Sequence, residues 1–316
     1  MCCDASVLER CVSSDSSTQR SDSWIRAVVQ LLRPFQWVKN GFVFLPIFFD
    51  RHFFQAEYWW PALTAFLAFS FAASAVYCFN DIRDAAFDRR HPEKKNRPIA
   101  SGRVTSAAGY VLSAACLAAS GVLLLFLPHA AVGKTSGVLL GYLGLNLAYC
   151  LWLKHHAIVD VFIIATGFVL RLFAGALAAN VPLSHWIVLM TFLLALFLAF
   201  AKRRDDVAAY EHLGIPTRKN LNRYNLAFMN QSLSVIGAVT LVAYILYCVS
   251  PDVMARIGSE HLYLTSVFVL AGIIRYLQLA IVDLCSGSPT KVLLHDRFIQ
   301  GCIALWGISF LLLLYM

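Results

Sequence analysis

A chain of 316 residues that is 59% hydrophobic and only 14% charged is too apolar for an ordinary soluble domain. Its net charge of +8 belongs to no separate soluble basic unit, which argues against a nucleic-acid-binding protein. Nine cysteines, none in a CxxC pair and most inside apolar runs, argue against a zinc site or a disulfide framework.

Residues 1–23 are Ser-rich and polar, with no apolar core for a signal peptide, and are expected to form a disordered tail. No linker divides residues 24–316, so one all-α integral membrane domain is expected there. Nine apolar runs are predicted as spans, at about 38–50, 58–80, 104–128, 135–153, 157–179, 183–201, 226–250, 259–281 and 298–316. The first is too short alone. It is expected to extend back through Trp24–Leu32 as a broken or interfacial helix, with Pro34 and Pro46 as interruptions.

The most informative motif ends the second run: Asn80-Asp81-Ile82-Arg83-Asp84-Ala85-Ala86-Phe87-Asp88. On a helix, Asn80, Asp81, Asp84 and Asp88 fall within a sector of roughly 100°. Such a wall of hard oxygen donors suits Mg²⁺, which usually arrives carrying substrate phosphates. Acids at a helix C-terminus also sit at the wrong end of the macrodipole, a cost that a bound cation offsets. The bland alternative is a solvated charged loop whose acids pair with neighbouring arginines.

All but five of the 26 lysines and arginines fall in one set of alternate loops. Arg51, Lys134 and Arg256 lie on the other side, and Arg171 and Arg275 lie within spans. The positive-inside rule then predicts a multi-pass inner-membrane protein with its N-terminus and rich loops in the cytoplasm and its C-terminus outside. Arginine within a span normally faces a polar interior. Arg171 follows Asp160 by three helical turns, so both can line one face. Arg171 and Arg275 are expected to hold an anionic group in the cavity of the aspartates, with a snorkelling or salt-bridged structural role as the alternative. Trp37 reads as an interfacial anchor.

These residues resemble the UbiA superfamily of intramembrane prenyltransferases, and within it the decaprenyl-phosphate phosphoribosyltransferase branch. The likeness rests on RPFQWVKN (33–40), NDIRDAAFDRRHPEKKNRPIASG (80–102), YCLWLKHHAIVDVFIIATGFVLR (149–171), AKRR (201–204), RYLQ (275–278) and HDR (295–297). It implies a UbiA-like nine-helix bundle with a cytoplasmic-side active site. Typical members carry a second acidic motif, DxxxD, after the sixth helix, and residues 202–223 hold Asp205, Asp206 and Glu211 but no DxxxD. Cations there suit a phosphate monoester, so the resemblance implies 5-phosphoribosyl diphosphate as donor and a polyprenyl phosphate as acceptor.

On this reading Asn80, Asp84 and Asp88 hold Mg²⁺, with Asp81 as a ligand or just behind it. Asp81, Asp84, Lys39 and Lys154 are the expected catalytic residues. The expected substrate contacts are Arg33, Lys39, Asn40, Lys94, Lys95, Arg97, Tyr149, Lys154, Asp160, Arg171, Lys202, Arg203, Arg204 and Arg275. The acceptor phosphate is already an anion, so no general base is required, and no Ser-His-Asp or Cys-His constellation is present. The pathway served stays open between envelope arabinan and arabinosylation of a secreted glycolipid such as a nodulation signal. A homo-oligomer is also left open. Transfer of a prenyl group to an aromatic acceptor is the second reading, and a lipid-phosphate transporter the third.

Overall fold

A computed structural model describes residues 24–90, 94–213, 223–284, 292–293 and 295–315. The expected polar tail and His91, Pro92 and Glu93 of the long motif lie outside them, as do Arg218, Lys219 and Lys291. Among the described residues the regular structure is helical, with no strand.

Helix α1, Trp24–Leu32, stops at Arg33, whose left-handed backbone (φ 55°) is followed by Pro34. A 3-10 stretch, Pro34–Phe44, then leads into the short α2, Leu45–Phe49. The first membrane element is therefore broken, as the prolines predict. Helix α3, Ala56–Asp88, is 33 residues long. At 1.5 Å per residue it reaches about 50 Å, well beyond a hydrocarbon core of about 30 Å. Its last turns carry the acidic motif on the helix itself rather than in a loop. The α4 (Ser106–Leu124), α5 (His129–Leu151), α6 (Val159–Ala179), α7 (His185–Leu213) and α8 (Leu226–Cys248) helices follow. A short α9 (Pro251–Ile257) precedes α10 (Ser266–Ile281) and α11 (Arg297–Tyr315).

Six stretches are long and apolar enough to cross a membrane: Ala56–Asp88, Ser106–Leu124, Val159–Ala179, His185–Glu211, Leu226–Cys248 and His261–Ile281. The other three expected spans correspond to the broken segment, to α5 and to α11. The α5 sequence is diluted by Lys134, Asn146 and four glycines, and the apolar part of α11, Arg297–Leu313, is shorter.

Helices in lipid gain little from hydrophobic burial against one another, so close packing and interhelical hydrogen bonds carry the contact. The α3 helix buries Ala65, Ala68, Ala72 and Ala75, which lets α4 approach. Ser113 and Ser120 of α4 then donate to the carbonyls of Ala75 and Ala68 at 3.0 and 2.8 Å. The tightest approach is between α6 and the 3-10 stretch. A Cβ on Gly175 would overlap the carbonyl oxygen of Val43. Backbone atoms there cannot rotate aside, so Gly175→Ala is expected to destabilise the protein by about 1–3 kcal/mol. Thermal unfolding of the purified variant in detergent checks this, and an unchanged midpoint overturns it.

Candidate active site

The oxygen wall divides into two pairs, and its members do not all meet the same neighbours. Asn80 and Asp84 face the end of α5 and the turn after it. Asn80 Oδ1 accepts from Cys150 Sγ at 3.4 Å, and Asp84 Oδ1 accepts from Lys154 Nζ at 2.6 Å. Asp81 and Asp88 face the chain before and after α3. Arg33 Nη2 reaches both oxygens of Asp81, at 2.6 and 2.8 Å. Arg97 Nη1 bridges Asp81 Oδ1 at 3.2 Å and Asp88 Oδ2 at 2.7 Å. Asp81 and Asp88 are buried, while the Asp84 side chain is 30% exposed.

The local chain explains why these cations arrive. Arg33 sits at the break between α1 and the 3-10 stretch. Arg97 is held by a compact turn in which Ser101 N–H donates to the Arg97 carbonyl and Val104 N–H to that of Pro98. Ile99, Ala100 and Val104 anchor that turn in the core. Lys94 lies within electrostatic range of Asp88, whereas Lys95 is exposed. Protein cations thus offset the unfavourable macrodipole for three carboxylates.

A second centre surrounds Arg171, which is 6% exposed. Its Nε donates to Asn40 Oδ1 at 2.7 Å, its Nη1 to the Gly167 carbonyl at 2.6 Å, and its Nη2 to Tyr142 Oη at 3.4 Å. The guanidinium also stands 4.9–5.2 Å from the ring centres of Phe69, Tyr142 and Phe168. Asn40 in turn donates to Ser70 Oγ at 2.9 Å. Lys39, one residue away, lies within electrostatic range of Lys202, Arg171 and Arg33, so three elements contribute cations to one region. Trp37 is more than an interfacial anchor: its Nε1 donates to Ser74 Oγ at 3.0 Å, and Ser74 donates to the Leu32 carbonyl at 2.8 Å.

The third centre joins α6 and α7. Asp160 is fully buried and pairs with the equally buried Arg203, Nε to Oδ2 at 2.6 Å. Arg203 Nη1 also donates to Asp206 Oδ2 at 3.1 Å, and Tyr149 lies within its electrostatic range. Tyr224 Oη donates to Asp160 Oδ1 at 3.2 Å and accepts from the Ile158 N–H at 2.5 Å. Burial pushes the Tyr224 hydroxyl up to about 12, so it stays a donor at neutral pH. Asp160 and Arg171 share the inner face of α6 as expected, but with separate partners.

The remaining expected residues are dispersed. Arg204 turns toward α8 and α10, donating to Asn230 Oδ1 at 2.9 Å with Asp205 Oδ1 at 3.7 Å. Arg275 does not face the aspartates of α3. It binds Asp296 Oδ2 through Nε and Nη2 at 3.1 and 2.8 Å, and that hydrogen bond holds the Asp296 carboxyl below the usual carboxylate range. The sequence does not single out Tyr142 or Tyr224. Nothing in their local context separates them from other tyrosines, because their partners lie far away along the chain.

Among the described residues no three His, Cys, Asp or Glu side chains group as a ready metal site. The donor set still fits Mg²⁺ arriving with a diphosphate, which needs only one or two carboxylates from the protein. Asn80 and Asp84 share one side of α3 and Asp88 lies a turn beyond, next to Asp81's partner Arg97; the bonds to Lys154 and Arg97 each use one oxygen of their carboxylate.

The model of the UbiA prenyltransferase family matches residues 53–299. This chain belongs to that family. It is accordingly a membrane-embedded transferase, and the likeness extends beyond the matched core. It is 32% identical over 296 residues to decaprenyl-phosphate phosphoribosyltransferase of Mycolicibacterium smegmatis, covering 89% of this chain and 90% of that protein. Nodulation protein NoeC of Azorhizobium caulinodans is 29% identical over 58% of each chain. In three dimensions, the UbiA homologue from Archaeoglobus fulgidus bound to GPP and Mg²⁺ superposes with a TM-score of 0.64 at 17% identity, covering 90% of this chain and 98% of that one. That last likeness establishes a shared UbiA fold.

Proposed function

We propose that this UbiA-family enzyme transfers the 5-phosphoribosyl group of 5-phosphoribosyl diphosphate to a polyprenyl phosphate and releases pyrophosphate. The observation that carries the reading is the cationic region around Lys39, Arg171, Arg33 and Lys202 beside the oxygen wall of α3. A wall of oxygens suits any diphosphate donor. Cations in place of a second DxxxD suit a donor or acceptor bearing a phosphate monoester. The phosphoribosyltransferase relatives, similar over nine-tenths of the chain, support the same choice.

Asn80, Asp84 and Asp88 would hold Mg²⁺, which when bound neutralises charge on the departing diphosphate. Lys154 and Arg97 lie against these carboxylates and can exchange them for phosphate oxygens as substrate enters. Arg33 holds both oxygens of Asp81 behind the site. Lys39, with Lys202 and Arg171 in range, is placed for the remaining phosphate. The C1–O bond to diphosphate breaks with its electron pair on the leaving oxygen, and a lipid phosphate oxygen forms the new bond to C1. Fixed charge and positioning of two anionic substrates supply the catalysis, with no proton transfer from the acceptor.

Purified protein is expected to release pyrophosphate from 5-phosphoribosyl diphosphate only when a polyprenyl phosphate is added, and to stop in excess chelator. Release that persists in chelator sinks the metal role. Consumption of a prenyl diphosphate with an aromatic acid instead favours the second reading, which the GPP-bound fold relative keeps in view.

The orientation proposed for this site is cytoplasmic, within a nine-span inner-membrane bundle whose C-terminus lies outside. A reporter fused after Met316 that works only outside the cytoplasm should be active; activity of a cytoplasm-only reporter at that position reverses the topology. The product would serve as precursor of a lipid-linked arabinose donor, for envelope arabinan or for a secreted glycolipid such as a nodulation signal, an alternative that the likeness to nodulation protein NoeC keeps open.

A further inference from the structure

The turn between α5 and α6 carries Lys154 on one side and Asp160 on the other, and its backbone is under strain. Val159 N–H donates to the Ala157 carbonyl at 2.8 Å, closing a three-residue turn around Ile158. Ile158 takes φ 69° and ψ −51° there. This tight turn is rare, and positive φ is a real penalty for a β-branched residue. A conformation of this kind persists only where its surroundings fix it.

One side chain from a distant part of the chain does so. Tyr224 lies just ahead of α8, and its hydroxyl takes the N–H of Ile158 and gives its proton to Asp160. Arg203 fixes the other oxygen of Asp160 at 2.6 Å, so the carboxylate that receives the hydroxyl is held from both sides. Four residues before Ile158, Lys154 reaches Asp84 at 2.6 Å.

The geometry points to Tyr224 as a positioning residue, whose hydroxyl holds the strained turn at Ile158 and thereby sets Lys154 at Asp84 of the phosphate site. Tyr224 itself touches no reacting group. This deepens the transferase reading and rests on it for the role of Lys154. The link from Tyr224 to Lys154 concerns the protein alone and is testable without substrate.

The test is amine-reactive labelling of Lys154 in detergent-purified full-length protein, followed by mass spectrometry, with exposed Lys95 as the internal standard. Tyr224→Phe keeps the ring and removes only the hydroxyl. It should raise the labelling rate of Lys154 relative to Lys95 about tenfold, the shift in population expected when one buried hydrogen bond to a charged group is lost. Adding Ile158→Gly, which removes the penalty for positive φ, should return the rate towards the wild-type value. In the transfer assay, Tyr224→Phe should lower kcat in the wild-type background but add nothing to Lys154→Gln, because both act through one amine. Unchanged labelling in Tyr224→Phe, or no rescue by glycine, overturns the proposal. Should Tyr224→Phe fail to fold, the Tyr224→Phe/Ile158→Gly pair decides: recovery of folded protein supports the strained-turn role, and continued misfolding refutes it. Failure of the transfer assay with wild-type protein would instead count against the transferase reading and leave the labelling result standing.

Discussion

Asp84→Asn and Asp88→Asn should each lower transfer by about a hundred- to a thousandfold, since a metal's stabilisation of a leaving group is worth several kcal/mol and each 1.36 kcal/mol is tenfold in rate. Each substitution preserves shape and one oxygen while removing the charge that attracts Mg²⁺. The fold has reasons to survive both. Lys154, freed from Asp84, remains partly exposed, and Arg97, freed from Asp88, still holds Asp81. Initial rates against Mg²⁺ concentration should show a raised metal requirement as well as a lower ceiling. Full activity in either variant removes that residue from the metal site. Asp81→Asn is a useful contrast. Asp81 is buried and meets two arginines, so its loss should reduce the yield of folded protein more than the affinity for metal.

The largest loss of stability is expected from Asp160→Ala. Asp160 and Arg203 are both almost wholly inaccessible. Removing one partner of a buried pair leaves an uncompensated charge and typically costs about 3–5 kcal/mol. Asp206 offsets part of this, because it also accepts from Arg203. Asp160→Ala/Arg203→Met removes both charges and should recover much of the loss. Fluorescence-detected unfolding of the wild type, the single variant and the double variant supplies the comparison. A double variant no more stable than Asp160→Ala would show that the pair's charge is not what matters there.

Much of this architecture can be read in the linear chain because its signals are local. Pro34 and Pro46 mark the broken first element. The spacing of Asn80, Asp81, Asp84 and Asp88 announces a helical oxygen wall, and α3 carries it on regular helix to Asp88. Asp160 and Arg171 share the inner face of α6 as their separation requires. What the chain conceals depends on long-range meetings. The wall splits because its partners come from positions 33, 97, 150 and 154, and helical spacing alone cannot reveal which face each will meet. Arg275 resembles Arg171 as an isolated cation in an apolar run, yet Asp296 beyond α10 claims it. Tyr224 gives no local sign at all, since the atoms it binds are more than 60 residues away.

The contact between Gly175 and Val43 also bears on the order in which this enzyme matures. A nascent chain that has emerged only as far as α5 already contains every oxygen donor of the wall, together with Arg33 and Arg97. It lacks the groove on α6 that receives the 3-10 stretch, and it lacks Arg171, which fastens Asn40. Arg33, which grips Asp81, stands at the head of that stretch, so the element that carries it has its full seat only once α6 is present. A chain released before residue 175 would therefore display the acidic signature without the means to use it, and one released before residue 202 would still lack Lys202, Arg203 and Tyr224.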